Sequence, residues 1–573
     1  MGCLPGIRPR IQHQCQCDEC RTILCRNSSY QDVYGRDKIW TLRMKIMKNI
    51  LRFPGAVLLS VLIASCTTWL DVEPENLALK GKLYKSEEDA FASKSGLYHT
   101  FGELVEQRFV LGEFRGNLVQ PGPGAKKYHD IMDVFDHNIQ SDNMYVSWEV
   151  YYRLINQCND ILEHIHQIPE HDAALDEGYE HQFALEAIFM RSYAYFDLVK
   201  NWGDVPYITK ASQDVSQDFN FPPMSADSIL DQLVAQLSLT HEWSLKYWDG
   251  SFQYWGAYGE NGWDTESWQR EMANYGAVLG LLIEINLYRE NYEEVLAIWE
   301  IMARPTNQWN FSHNLTFCGS GEDWFRAIYV GGAENAGPVP WESGNTLNLV
   351  YKEEFNQWNI YVMFTSNRPQ DGGEYIVKPS KSAIRNWVDN GDYTRGERKS
   401  WWTDSLSFDR TDSIIWKYIG LDTLGTRRDP YVSDGNVIIY KTHNYSLQVA
   451  EAYNRLGKSA EAIKLVNEIR SALNIPTISM TGNSSMIEVE DMIMQERARE
   501  MAFENQVWYD LVRVAKRRND PAYLIDLLVE NTVQEKKEFV RANLEKGAAN
   551  WWQLPYHADA VARNSNLIQK PGY

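Results

Sequence analysis

The chain has 573 residues, with 56 Lys+Arg against 77 Asp+Glu and a formal net charge of −21. At 44% hydrophobic and 23% charged it is a globular chain, long enough for a sizeable core, which excludes a disordered polypeptide. The acidic balance speaks against nonspecific nucleic-acid binding, and no run reaches the roughly 18–20 apolar residues that a membrane-spanning helix needs.

The first segment reads as an address. Five of eight Cys lie at Cys3, Cys15, Cys17, Cys20 and Cys25, but their flanks are polar and lack a second zinc knuckle. A basic stretch from Met44 to Arg52 then precedes the mainly apolar Phe53–Ala64 and ends in Leu62-Ile63-Ala64-Ser65-Cys66. A positive region, a short apolar region and small residues are the marks of a secretory signal. The Cys directly after them resembles a bacterial lipobox, so Cys66 is expected to be the lipidated N-terminus of the mature protein. On that reading residues 1–43 are a start-site extension, Met44 or Met47 is the true start, and 44–65 is the signal peptide. Residues 1–65 hold 10 Lys+Arg and 4 Asp+Glu, so the remainder carries 46 against 73, a net −27. With Cys66 lipidated, only Cys158 and Cys318 remain for a disulfide.

Helical texture dominates 84–110, 147–168, 178–202, 224–246, 268–303 and 444–530. Loop texture, rich in Gly, Asn, Asp and Trp, fills 111–146, 247–267, 304–443 and 531–573. In 184–202, Ile188, Tyr195, Val199 and Trp202 recur at helical spacing, and Gly203-Asp204-Val205-Pro206 stops the helix. Tyr453-x3-Gly457-x4-Ala462 has the inner spacing of a tetratricopeptide hairpin, continued by Ile463, Val466, Ile469 and Leu473. Residues 286–302 form a weaker copy around Tyr292, Val295, Trp299 and Met302, and 147–168 with 180–202 a third pair. The fold class read from this is mainly α, a tetratricopeptide-like helical-repeat scaffold. It divides into an N-terminal helical region 66–303, a loop-rich Trp-bearing insert 304–443 and a C-terminal helical region 444–573.

Several blocks, in order, resemble the SusD/RagB family. Cys66-Thr67-Thr68-Trp69-Leu70-Asp71-Val72-Glu73-Pro74 is similar to its lipobox and Leu-Asp-x-x-Pro opening. The run Arg191-Ser192-Tyr193-Ala194-Tyr195-Phe196-Asp197-Leu198-Val199 with Trp202-Gly203-Asp204-Val205-Pro206 resembles its most recognisable segment. Ala450-Glu451-Ala452-Tyr453, Gln495-Glu496-Arg497-Ala498-Arg499-Glu500, Trp508-Tyr509-Asp510-Leu511-Val512-Arg513 and the terminal Pro571-Gly572-Tyr573 continue it. Lys570 departs from the pattern, standing where Asn is usual. The resemblance implies a lipid-anchored protein of the outer membrane. Such proteins capture oligosaccharides, or peptides in some members, for a SusC-like TonB-dependent transporter, without chemical conversion and without a cofactor. Arg191, Glu496, Glu500 and Arg513 are expected to be partly buried ion pairs between helices rather than chemistry.

Catalytic signals are weak. His164, His166 and His171 lack metal-ligand spacing and read as a solvated helix end. Asp133, Asp136 and Asp142 near His137 are the most clustered acids in loop texture; a solvated loop is the preferred reading, a Ca²⁺ site the other, and no metal is assigned. The ligand is instead placed by tryptophan: 14 of the 21 fall between 243 and 416. Indole faces stack on the C–H faces of sugars, with nearby polar groups pairing the hydroxyls. The expected ligand contacts are Arg115, Asn117 and Tyr128 before the Trp148 helix, and Trp324, Trp341, Trp358 and Trp401 in the insert. The rival readings are a surface glycoside hydrolase, a peptide-uptake lipoprotein and a purely structural helical adaptor.

Overall fold

The computed structural model describes residues 84–172, 177–212, 217–247, 273, 275–302, 347–351, 362–365, 373–389, 408–409, 414–415, 437–472 and 475–573. All of them lie in the compact unit Lys80–Tyr573. Cys66 and the sequence-predicted Trp324, Trp341, Trp358 and Trp401 lie outside the described residues.

Helix α1 spans Glu87–Glu113 and starts with a capping box. The Ser86 hydroxyl accepts from the Asp89 amide at 3.3 Å, and the Asp89 carboxylate accepts from the Ser86 amide at 3.2 Å. Strand β1 (Val119–Pro121), a 3-10 turn (Pro123–Lys127) and the short helix α2 (His129–Phe135) follow. Helices α3 (Glu149–His164) and α4 (Glu177–Trp202) pack on each other. Tyr151, Leu154, Ile155, Cys158 and Ile161 form the buried stripe of α3. Cys158 is a buried free thiol, pushed up to about 12 by desolvation.

The short strands β2 (Val205–Pro206) and β3 (Pro223–Met224) pair and lead into α5 (Ala226–Tyr247), followed by α6 (Tyr275–Tyr288) and α7 (Tyr292–Met302). Within the helical texture expected over 268–303, α6 and α7 form a hairpin, turned where Glu290 adopts φ +61°. Strand β4 (Leu347–Tyr351), helix α8 (Val362–Thr365), strand β5 (Val377–Pro379), helix α9 (Lys381–Asp389) and strands β6 (Phe408–Asp409), β7 (Ile414–Ile415) and β8 (Val437–Lys441) come next. Among the described residues every sheet is a two-stranded antiparallel ladder, β1–β5, β2–β3, β4–β8 and β6–β7.

Helix α10 (Thr442–Arg455) and α11 (Ser459–Ala472) form the hairpin read from Tyr453-x3-Gly457-x4-Ala462. Gly457 sits at φ +74°, a backbone that a side chain would strain, and fully buried Ala462 lets the second helix approach. Ile463, Val466 and Ile469 are buried as expected, while Leu473 is outside the described residues. Helices α12 (Met486–Glu500), α13 (Val507–Arg518) and α14 (Pro521–Asn531) complete the helical stretch. Helix α10 also packs on α6 and α7, so helices before and after 304–443 share one core. The fold is mainly α, as expected from the sequence.

Two readings need correction. Residues 531–573 are not all loop: α15 (Lys537–Ala548) and α16 (Ala558–Arg563) lie there, and α2 lies within 111–146. Helix α15 was hidden because only Val540 and Leu544, one turn apart, are buried in an otherwise charged sequence. The ion pairs are the second. Glu496 takes Arg470 at 2.7 Å and Arg499 at 2.8 Å; Arg513 takes Glu451 at 2.7 Å and Asp510 at 2.8 Å; Glu500 meets His443 at 2.7 Å. Arg191, however, faces amides and not a carboxylate, donating to Asn159 Oδ1 at 2.7 Å and Gln236 Oε1 at 2.9 Å.

The most recognisable sequence run turns out to be a seam with the C-terminus. Trp202 is fully buried and donates to Pro555 O at 2.9 Å, while Leu554 N donates to Asn201 O at 2.8 Å. Gly203 has φ +72°, and a Cβ there would lie 2.5 Å from Gln553. Asp204 accepts from the first amide of α5 through its side chain and from the Tyr556 hydroxyl through its carbonyl, both at 2.8 Å. Lys570, the residue that departs from the family pattern, donates from Nζ to the carbonyls of Trp202 and Leu554 and to Gln553 Oε1. Burial pulls its ammonium down to about 7.

Candidate ligand-binding face

The segment between α1 and α2 is built around two glycines. A Cβ on Gly122 would lie 2.1 Å from Tyr375 O, and one on Gly124 1.7 Å from Glu374 O. Their absence of side chains lets 119–124 run against 374–379, with Gly122 N donating to Ile376 O at 2.7 Å and Gly124 N to Tyr375 O at 3.0 Å. Ser380 Oγ ties the same ladder to Asn117 O at 2.7 Å. This junction carries Tyr128 and Glu374 side by side at the surface. Lys127 Nζ lies 3.0 Å from the Glu374 carboxylate, whose pKa is lowered first by that hydrogen bond. Tyr128, half-buried, has its hydroxyl raised by its hydrogen bond to the same carboxylate.

Beside the ladder opens a groove of about 480 Å³. Asn117 and Leu118 line one wall, Ser382, Arg385 and Asn386 of α9 another, and residues of α12, α13 and α14 the rest. Asn117 Oδ1 is buried without a hydrogen-bond partner among the described residues, a demand that a ligand donor would satisfy. Across the groove Arg518 lies over the Tyr523 ring at 4.8 Å and pairs with Asp491 at 2.6 Å. Arg385 and Glu530 face each other at 3.6 Å, both well exposed. Amides, carboxylates, guanidinium groups and one aromatic face are a donor and acceptor set suited to a polyhydroxylated ligand.

The three described residues singled out from sequence do not converge. Asn117 lines this groove, and Tyr128 stands at the Lys127–Glu374 surface. Arg115 is an interior residue: it is 2% exposed, donates to Leu111 O at 2.6 Å and to Asn201 Oδ1, and stacks on Trp508 at 4.4 Å. It lines a pocket of about 50 Å³ that it shares with His137 and Tyr573. Sequence reasoning missed Glu374, Arg385, Arg518 and Tyr523, since nothing in spacing links α9 to α14. The acids near His137 separate as well. Asp136 pairs with Lys536, while His129, Asp130 and Asp133 bring one ligand atom each within 4.8 Å of one another. His137 itself stacks on Trp508 at 5.5 Å, and burial pulls its pKa down to about 3.

The model of the SusD family matches residues 352–573, and that of a second family, described as starch-binding associating with outer membrane, matches residues 116–239. These matches support the SusD/RagB family for this chain. A relative, SusD-like protein P38 of Formosa agariphila, is 26% identical over 515 residues, covering 82% of this chain and 93% of its own. A SusD superfamily protein of Bacteroides thetaiotaomicron superposes with a TM-score of 0.65 at 19% identity, covering 85% of this chain and 99% of the other. A laminarin binding SusD-like protein does so with a TM-score of 0.58 at 17% identity, covering 86% and 100%. The groove is walled by both matched regions, Asn117 and Leu118 from one and α9 with α12–α14 from the other.

Proposed function

We propose that this chain captures oligosaccharides at the cell surface, without converting them, for import by a SusC-like TonB-dependent transporter. A lipid on Cys66 holds it to the outer membrane, raising the effective concentration of binder beside its partner. The family matches support the role. The observation that carries it to a site is the groove of about 480 Å³, of mixed polar and apolar lining, with the unpartnered Asn117 Oδ1. The glycan runs along that groove, and Trp324, Trp341, Trp358 and Trp401 are the stacking contacts expected from the sequence alone. Tyr128 stays at the separate Lys127–Glu374 surface, and Arg115 contributes by holding the fold.

A glycan array on the chain from residue 67 onward tests the role. Binding without release of shorter products is the expected result; products abolished by one carboxylate substitution overturn it in favour of a hydrolase. Titrations of the four Trp→Ala variants test the insert, and unchanged affinity in all four removes it from the site. Lipid labelling of Cys66 and co-purification of a transporter test the anchor and the partner.

A further inference from the structure

On the helical side of the molecule a second groove, of about 570 Å³, opens between α4, α5, α6 and α13 and the turn at Trp551–Gln553. This size lies within the ~300–1,000 Å³ of small-molecule sites. None of its lining residues lines the groove beside Asn117.

Its chemistry is that of a sugar subsite. Trp551 and Trp552 both adopt left-handed backbone, at φ +54° and +58°, an uncommon conformation for bulky residues. Trp552 is the anchor of the pair: it is buried, donates to Leu544 O at 2.9 Å and meets Trp508 edge-on at 6.3 Å. Trp551 is left half-buried on the groove, 6.1 Å from Trp552, with an indole N–H that no described residue accepts. Tyr288 supplies a second aromatic ring, with Lys516 Nζ 5.7 Å from its centroid. Gln506 lines the groove at 5% exposure, and its side-chain amide has no partner among the described residues.

The charges decide which sugar. Lys200 is paired with Glu284 at 2.9 Å, Arg289 with Asp231 at 2.6 Å and Arg513 with Glu451 at 2.7 Å. Asp227, Glu290 and Lys516 remain at the exposed rim, of mixed sign. A groove whose inner charges are already compensated gives no net attraction to a polyanion. We infer that the groove between α4–α6, α13 and Trp551 is a second carbohydrate site, which takes the hexopyranose rings of a neutral oligosaccharide by stacking on Trp551. This rests on the reading of the chain as a glycan binder.

The experiment is a calorimetric titration of the chain from residue 67 onward with neutral hexasaccharides of α-glucan, β-glucan, mannan and galactan. Two classes of site are expected with at least one of them. Trp551→Ala is expected to weaken one class about tenfold. Lys516→Ala and Asp227→Asn, exposed substitutions that leave the core untouched, weaken the same class about threefold. Asn117→Ala leaves that class unchanged and weakens the other. One class of site, unaffected by Trp551, Lys516 and Asp227, overturns the second site and leaves the glycan-binding reading standing. Absence of any binding to the panel overturns this inference, and the glycan array then decides whether the broader reading falls with it.

Discussion

Gly124→Ala is the perturbation that most directly tests how the candidate face is built. The new methyl would sit 1.7 Å from Glu374 O and 2.8 Å from Glu374 C. These are backbone atoms held in a ladder, so no side chain can swing aside. The strand must move by well over an ångström, which breaks the bonds from Gly122 N and Gly124 N to the 375–376 carbonyls. Two net hydrogen bonds at ~0.5–1.5 kcal/mol each give a loss of about 1–3 kcal/mol. The exposed Lys127–Glu374 contact adds nothing to that sum. Gly96→Ala is the matched control: it is exposed within α1, with nothing within 4 Å of its Cβ. Relief of helical glycine there stabilises by up to ~1 kcal/mol. Urea unfolding followed by circular dichroism measures both, and a glycan titration of the Gly124→Ala variant follows the site. Opposite signs for the two alanines are expected, with weakened glycan binding only for Gly124→Ala. Equal stabilities, or unchanged binding in a destabilised Gly124→Ala protein, would refute the view that this close approach sets the face.

Glu451→Ala leaves the buried guanidinium groups of Arg513 and Arg517 without a shared carboxylate. Asp510 and Glu490 still reach them, so the cost falls near the low end of the ~3–5 kcal/mol for a broken buried pair, readable in the same unfolding assay. Lys570→Met removes the donor to two backbone carbonyls and should cost about 1–3 kcal/mol. The pH dependence of Lys570 has a definite sign. Its folded pKa, about 7, lies below the ordinary 10.5, so between those values the unfolded chain binds more protons and stability rises with pH. Stability curves across pH 7–9.5 should show that rise in the parent and lose it in Lys570→Met. His137, at about 3 when folded against 6.5, works in the same direction lower down, and stability should fall as pH drops from 6.5 towards 3. A His137→Phe variant should flatten that acid limb.

Helices with a broad apolar stripe and a glycine stop are legible in the sequence, as in α4 with Gly203 and in the Tyr453–Ala462 hairpin. Helix α15 is not, because two apolar anchors do not make a period. The candidate face was legible only in part. A polar residue in a loop looks alike whether it meets solvent or the core, and Arg115 proved to be packed on Trp508. Glu374, Arg385 and Tyr523 came to the face through pairing and packing over hundreds of residues, which local pattern does not encode. Arg191 shows the same limit in the core: its charge was evident, its amide partners were not.

The seam between Trp202 and the last residues has a consequence in time. The carbonyl that Lys570 holds is synthesised 368 residues before its partner. At ~5–20 residues per second, that is a wait of roughly 20–70 s. Until then the end of α4 keeps an apolar indole and open backbone carbonyls uncovered. The molecule therefore cannot finish its amino-terminal half first and its carboxyl-terminal half later. Closure over such a sequence separation also carries a high entropic barrier, which slows folding. A chain cut before Leu554 would fail as a whole, and not merely lose its tail.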